Sequence, residues 1–87
     1  MSDFSYSAPP NVFGPWQTIA SYGGEVQYTL SASPLGDTQI FGEVRFGAET
    51  RSFADHITFR TRNEWSNVDV RFKGIPLGTA IHGSILP

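Results

Sequence analysis

A strict alternation of apolar and polar side chains runs through most of this chain and constrains its fold more than any other feature. The segment EWSNVDVRFK (64–73) shows it best, because Val68, Val70 and Phe72 fall on one side of an extended backbone and charged residues fall on the other. A period of two residues is typical of a β-strand with one buried face. No stretch shows a helical period of useful length, so the sequence predicts an all-β fold.

Six short alternating runs follow one another from Trp16 onward, with turn-forming residues between them. The predicted inward residues of the middle runs are Val26, Tyr28, Leu30, Ile40, Gly42, Val44, Phe46, Ile57, Phe59, Thr61, Val68, Val70 and Phe72, and the last run carries the apolar residues Ile81, Ile85 and Leu86. Residues 16–87 therefore predict a single β-domain, a small antiparallel β-sandwich of about six strands, with a small barrel as the alternative.

Two connections carry specific expectations. Gly23 and Gly24 separate two alternating runs, and glycines at both central positions favour a tight β-hairpin. The segment GAETRSFAD (47–55) reads as a loop, with a short helical turn around 49–53 as an option.

Residues 1–15 lack any period and contain three prolines, which predicts an irregular N-terminal arm. The arm nevertheless carries the aromatic residues Phe4, Tyr6 and Phe13. We expect these rings to lie on the arm's own domain or on a neighbouring subunit, because a solvated tail rarely keeps three aromatic side chains.

Composition narrows the functional classes. The 87 residues have a net charge of −2 and no cysteine, so the fold has neither disulfides nor thiolate metal ligands, and no global positive field attracts nucleic acid. Neither a signal peptide nor an apolar segment of transmembrane length is visible, and we expect a soluble protein whose compartment the sequence does not specify.

The predicted outward face of three strands concentrates charge. If these strands form a meander, five bases and two acids share one surface: Glu43, Arg45, Arg60, Arg62, Asp69, Arg71 and Lys73. The first interpretation is a solvated face with cross-strand ion pairs. The alternative is a single-stranded nucleic-acid surface, in which the bases Arg60, Arg62, Arg71 and Lys73 neutralise phosphates while Trp65 or Phe41 stacks on a base.

The two tryptophans suggest a different ligand. Trp65 is expected to be exposed at a strand start, whereas Trp16 is expected to plug the core or to assist in binding. An indole ring beside the side-chain amides of Asn63 and Asn67 has the chemistry of a carbohydrate site.

Catalytic and metal constellations are weak. The two histidines, His56 and His82, are far apart and lack the close ligand pairs of a zinc site. No nucleophile elbow or phosphate-binding glycine loop is present, so we expect neither an enzyme nor a bound cofactor or metal.

Self-association is the leading functional expectation. A chain this short buries a small core and has no covalent staple, which favours a homo-oligomer. The candidate interface residues are Phe4, Tyr6 and Phe13 of the arm and Ile75 and Leu77 near the last turn. The sequence thus favours a non-catalytic structural or assembly module, with a small lectin-like carbohydrate binder as the alternative and a single-stranded nucleic-acid binder third.

Overall fold

The computed structural model describes residues 2–87 and contains eight β-strands. Their bounds are β1 (Ser2–Ala8), β2 (Gln17–Gly23), β3 (Gln27–Pro34), β4 (Gln39–Phe46), β5 (Glu49–Phe53), β6 (His56–Arg60), β7 (Trp65–Ile75) and β8 (Thr79–Leu86). The strands form two four-stranded antiparallel sheets, with the order β1-β8-β3-β6 in the first sheet and β2-β7-β4-β5 in the second sheet. The predicted β-sandwich is confirmed. Among residues 2–87 there is no helix of the length and apolarity needed to cross a membrane.

Most connections carry the chain from one sheet to the other. The hairpin predicted at Gly23 and Gly24 is wrong, because β2 pairs with β7 whereas β3 pairs with β6 and β8. Gly24, at φ 97°, therefore turns the chain between the sheets. Glycine allows positive φ in any kind of turn, so the glycine pair alone did not specify which strands would be neighbours.

The true hairpin lies in the segment predicted to be a loop. Residues 49–53 form β5, which pairs with β4 across the two-residue turn of Gly47 and Ala48. Gly47, at φ 56°, occupies the first central position, where a type II′ turn requires a positive φ. The alternation was hidden because β5 is an edge strand in which Phe53 alone is buried.

The irregular arm predicted for residues 1–15 is also corrected. Residues 2–8 form β1, which pairs along its whole length with β8. The next residues run along the part of β7 that β2 leaves open: the Asn11 N–H donates to the Gly74 oxygen at 2.8 Å, and the Gly14 N–H donates to the Phe72 oxygen at 3.1 Å. The three prolines led to the prediction of an irregular arm, although this segment pairs with β8 in the first sheet and with β7 in the second.

The core lies between the sheets and contains most of the inward residues that the alternation predicted, together with residues that it did not predict: Tyr6, Ala8, Tyr22, Ala32 and Phe53. Leu30, Val44, Val68, Val70 and Phe72 are completely buried. The ring of Phe46 stacks on Phe59 with 4.4 Å between centroids, and Phe72 contacts the rings of Phe4, Tyr6 and Phe53. A Cβ on Gly42 would lie 2.7 Å from the Phe72 ring, so the absence of a side chain there makes room for aromatic packing.

Candidate functional site

An exposed indole ring marks the end of the second sheet where β7 begins. Trp65 is 88% exposed, as the sequence predicted, although it lies directly across from Gly23 in the β2–β7 ladder. A Cβ on Gly23 would lie 2.7–2.8 Å from three atoms on different sides of the six-membered ring of Trp65. The ring therefore covers Gly23 with one face and turns the other face to solvent. We call this the Trp65 platform.

Polar groups border the platform. Asn67 follows Trp65 on the same face of β7, about 7 Å along the strand. The Ser21 hydroxyl donates to the Asn67 Oδ1 at 2.9 Å, and no hydrogen bond within residues 2–87 occupies the Asn67 Nδ2. The Asn63 side-chain oxygen lies 3.7 Å from the position of a Cβ on Gly24. The structure thus brings together three of the predicted sugar-site residues, Trp65, Asn67 and Asn63.

Trp16 is separated from this site. It is half-buried on the outer face of the second sheet, so it is not the core plug that the sequence allowed. Its ring lies 4.2 Å from the guanidinium carbon of Arg45 and 4.4 Å from that of Arg71. Trp16 is six residues from the platform in β7 register, or about 20 Å, because its neighbour Gln17 pairs with Val70.

The charged residues around Trp16 are paired with one another. Arg45 donates to Asp69 at 2.9 Å, and Arg71 contacts Glu43 at 2.6 Å. The Thr18 hydroxyl also donates to Asp69, at 2.7 Å. This part of the face has the cross-strand ion pairs of the first interpretation, and its guanidinium groups are largely committed to carboxylates.

Lys73 and Phe13 extend the same surface. The Lys73 ammonium lies 4.6 Å from the Phe13 ring centroid, and the Arg71 guanidinium carbon lies 4.8 Å from it. Cation–π contacts between Phe13 and these two β7 residues therefore hold the N-terminal segment against the second sheet.

The predicted continuous Arg-rich face does not form. Arg60 lies on β6 in the first sheet, where its guanidinium is 3.4 Å from the Gln27 Oε1. Arg62 follows β6 and contacts Glu49 at 3.3 Å. The expectation that Arg60 and Arg62 share a surface with Arg71 is wrong, because β6 lies in the first sheet whereas β4 and β7 are neighbours in the second sheet, so the three strands form no meander.

The predicted interface residues fall in different environments. Tyr6 is 5% exposed and its hydroxyl donates to the Pro15 oxygen at 2.6 Å, so it belongs to the core of its own domain. Phe4 packs on Phe72 and covers Gly83. Leu77 is 67% exposed in the turn after β7, next to Ile75 at the strand end.

That turn belongs to an apolar end of the sandwich opposite the Trp65 platform. The Leu35 N–H donates to the Ala80 oxygen, and the Thr38 hydroxyl donates to the Ile75 oxygen. These two hydrogen bonds link the β3–β4 turn to the β7–β8 turn. The exposed apolar side chains of this end are Val12, Leu35 and Leu77.

One buried polar group that sequence analysis missed lies beneath the platform end. Tyr22 pairs with Ser66 across the ladder and points inward, where burial raises the pKa of its phenol. Its hydroxyl has no hydrogen-bond partner within residues 2–87. A Cβ on Gly47 would lie 3.2 Å from this hydroxyl and would collide with the Glu64 carboxylate, so the β4–β5 turn packs closely on both groups.

The titratable groups of residues 2–87 include no group of three or more that could hold a metal ion. His56 lies beside Asp55, with 3.1 Å between Nδ1 and Oδ1, on an exposed edge.

Comparisons with known proteins found no matching family, no similar curated protein and no similar solved structure.

Proposed function

We propose that this chain is a non-catalytic β-sandwich module that binds carbohydrate at the Trp65 platform. The observation that carries the proposal is the combination of 88% exposure at Trp65 with the covering of Gly23 by one face of its ring. An open aromatic face on a rigid strand costs little conformational entropy when a flat ligand stacks on it.

The chemistry of the surroundings supports a sugar over a purely apolar ligand. A pyranose ring presents C–H groups on its faces and hydroxyl groups around its rim. The indole face would contact the former, while the Asn67 amide and the Asn63 and Ser21 side chains would exchange hydrogen bonds with the latter. Asp69 is the next charged residue after Asn67 on the outer face of β7. Its carboxylate is already bound by Arg45 and by the Thr18 hydroxyl, so we favour a neutral sugar.

A glycan panel tests the proposal. Binding should change the tryptophan fluorescence of the protein, disappear in Trp65→Ala and be retained in weaker form in Trp65→Phe, which keeps a smaller stacking surface. Leu35→Ala is the matched control, because it removes another exposed apolar side chain at the opposite end. The absence of any response at about 10 mM of neutral glycans would contradict the proposal.

Self-association is the second candidate function. The observation that favours it is the apolar end, where Leu35 is 73% exposed and Leu77 is 67% exposed on adjoining turns. The double variant Leu35→Glu/Leu77→Glu should lower the solution mass if this end joins two copies. An unchanged mass would remove the apolar end from consideration.

Nucleic-acid binding is the least supported of the three functions. The pairing of Arg71 with Glu43 and the location of Arg60 on the other sheet count against a continuous phosphate surface. An oligonucleotide titration at two salt concentrations tests it, because phosphate contacts weaken steeply as salt rises.

A further inference from the structure

Strand β6 is an edge strand of the first sheet, so one of its two sides has no neighbouring strand. The Ala32 N–H donates to the Asp55 oxygen and the Thr61 N–H donates to the Val26 oxygen, each at 2.8 Å. In an antiparallel ladder such hydrogen-bonded pairs recur at every second residue.

Residues 57 and 59 therefore complete the internal ladder with β3, whereas the backbone groups of the alternate residues point away from the sheet. These outward residues are His56, Thr58 and Arg60. Strand β3 is the one neighbour of β6 in the sheet, and no turn or loop hydrogen bond within residues 2–87 reaches the N–H or C=O groups of these three residues. We call this row the β6 edge.

The other three sheet edges carry features that limit pairing with a further strand. On β1, the Gln17 side-chain amide donates to the Ser5 oxygen at 2.9 Å. Strand β2 has an irregular register between Thr18 and Ala20, and such bulges discourage pairing with a further strand. Strand β5 carries Glu49, which is bound by Arg51 and Arg62.

The β6 edge is complementary to a second copy of itself. If two copies meet antiparallel about Thr58, His56 of one copy lies opposite Arg60 of the other, and the two Thr58 residues face each other. The Asp55 carboxylate lies 3.1 Å from His56. It therefore comes next to Arg60 of the second copy, and the same contact occurs twice by symmetry.

We propose that two copies of this chain associate through antiparallel pairing of their β6 edges, which joins their first sheets into one continuous sheet. The outward residues form three cross-strand pairs, with about six backbone hydrogen bonds between the copies. The Asp55 contacts to Arg60 select this register and favour a second copy over an unrelated strand. This interface is independent of the Trp65 platform and distinct from the apolar end of Leu35 and Leu77.

Charge reversal tests the pairing directly. Asp55→Arg or Arg60→Glu alone should weaken dimerisation about tenfold, because each places like charges opposite one another twice. An equimolar mixture of the two variants should regain the wild-type dimer, since both cross-strand contacts become attractive in the mixed pair. Sedimentation equilibrium up to about 1 mM protein gives the dissociation constants. Asp37→Arg, an equal charge change in the β3–β4 turn, is the control.

A backbone variant provides the second arm. Thr58→Pro removes an outward N–H that β3 does not use and should abolish the dimer. Ser52→Pro is the matched control at an outward position of β5, and circular dichroism establishes whether each variant folds.

A wild-type protein that stays monomeric at about 1 mM would overturn the proposal, as would charge-reversal variants that dimerise like wild type. A dimer lost in Leu77→Glu and retained in Asp55→Arg would overturn it in favour of the apolar end. If Thr58→Pro does not fold, recovery or failure in the mixture of charge variants decides the question.

Discussion

The six-membered ring of Trp65 covers the backbone of Gly23 on the neighbouring strand, so the residue without a side chain fixes the orientation of the most exposed aromatic ring. A glycine under a cross-strand aromatic ring is a known device for stabilising a strand pair. Here it also leaves the opposite face of the indole open to a ligand.

Gly23→Ala should displace the indole ring, because the new Cβ would lie 2.7 Å from its atoms. We expect glycan affinity to fall while the fold remains, since Gly23 does not need a positive φ. Gly24→Ala is the control: it strains a backbone at φ 97° and leaves the ring uncontacted, so it should lower stability more than affinity. Equal glycan affinities in Gly23→Ala and wild type would contradict this role for Gly23.

Alanine substitutions of the two tryptophans should differ in their effects on the free energy of unfolding. Trp16→Ala removes contacts with two guanidinium groups, each worth about 0.5–1 kcal/mol at partly exposed sites, and should lower the free energy of unfolding by about 1–2 kcal/mol. Trp65→Ala should change it by less than about 1 kcal/mol, because the ring is 88% exposed. Urea unfolding measures both values, and the reverse order would contradict the assignment of Trp65 to binding.

Thr61→Val tests a buried hydroxyl with three contacts. Thr61 is 1% exposed, and its Oγ1 accepts a hydrogen bond from the Val26 N–H at 2.8 Å. As a donor, the same hydroxyl lies 3.0 Å from the Gly24 oxygen and 3.1 Å from the Val26 oxygen. Valine keeps the shape but leaves the Val26 N–H unpaired, so we expect a loss of about 1–3 kcal/mol in unfolding free energy. Thermal unfolding measures this loss, and Thr29→Val, at an exposed position of β3, should have little effect in the same experiment.

Protonation of Glu49 in acid should lower the stability of the fold, because the carboxylate then loses its ion pairs with Arg62 and Arg51. The hydrogen bond from Arg62, aided by Arg51, lowers the pKa of Glu49 below its usual 4.5 in the folded state. A lowered folded pKa means that the contribution is complete above the unfolded value and is lost as the pH falls through the folded value. Unfolding free energies measured between pH 6 and pH 2 should decline less steeply in Glu49→Gln than in wild type, and parallel curves would contradict the role of this ion pair.

Removal of the N-terminal segment should unfold the domain and not merely dissociate an oligomer. A chain that begins at Phe13 lacks β1 and with it Tyr6 and Ala8, which are 5% and 4% exposed in the core. Far-ultraviolet circular dichroism and thermal unfolding check the outcome. A truncated chain that retains a cooperative transition would show that β1 contributes little to the fold.

The buried faces of β3, β4, β6 and β7 were predictable because apolar and polar side chains alternate along these strands. Val68, Val70 and Phe72 alternate with charged residues in β7, and all three are fully buried. Strand neighbours were not predictable in the same way, because the alternation fixes which side of a strand is buried but not which strand lies beside it. The glycine pair at 23 and 24 suits a hairpin and an inter-sheet turn equally well.

The candidate site was only partly predictable for the same reason. Trp65, Asn63 and Asn67 are close in sequence, and the structure brings them together at one end of β7. Their contacts with Gly23 and Ser21 depend on the β2–β7 pairing, which no local pattern specified. The supposed Arg-rich face failed because it required Arg60 and Arg71 to lie on neighbouring strands.

A titration of the 87-residue chain with neutral glycans, followed by the indole N–H and side-chain amide signals in a ¹H–¹⁵N spectrum, tests the central claim most directly. We predict that the signals of Trp65 and Asn67 shift in a saturable manner while the indole signal of Trp16, about 20 Å away along the sheet, stays in place. No shift at Trp65 with any glycan at about 10 mM, or shifts centred on Trp16, would contradict carbohydrate binding at the Trp65 platform.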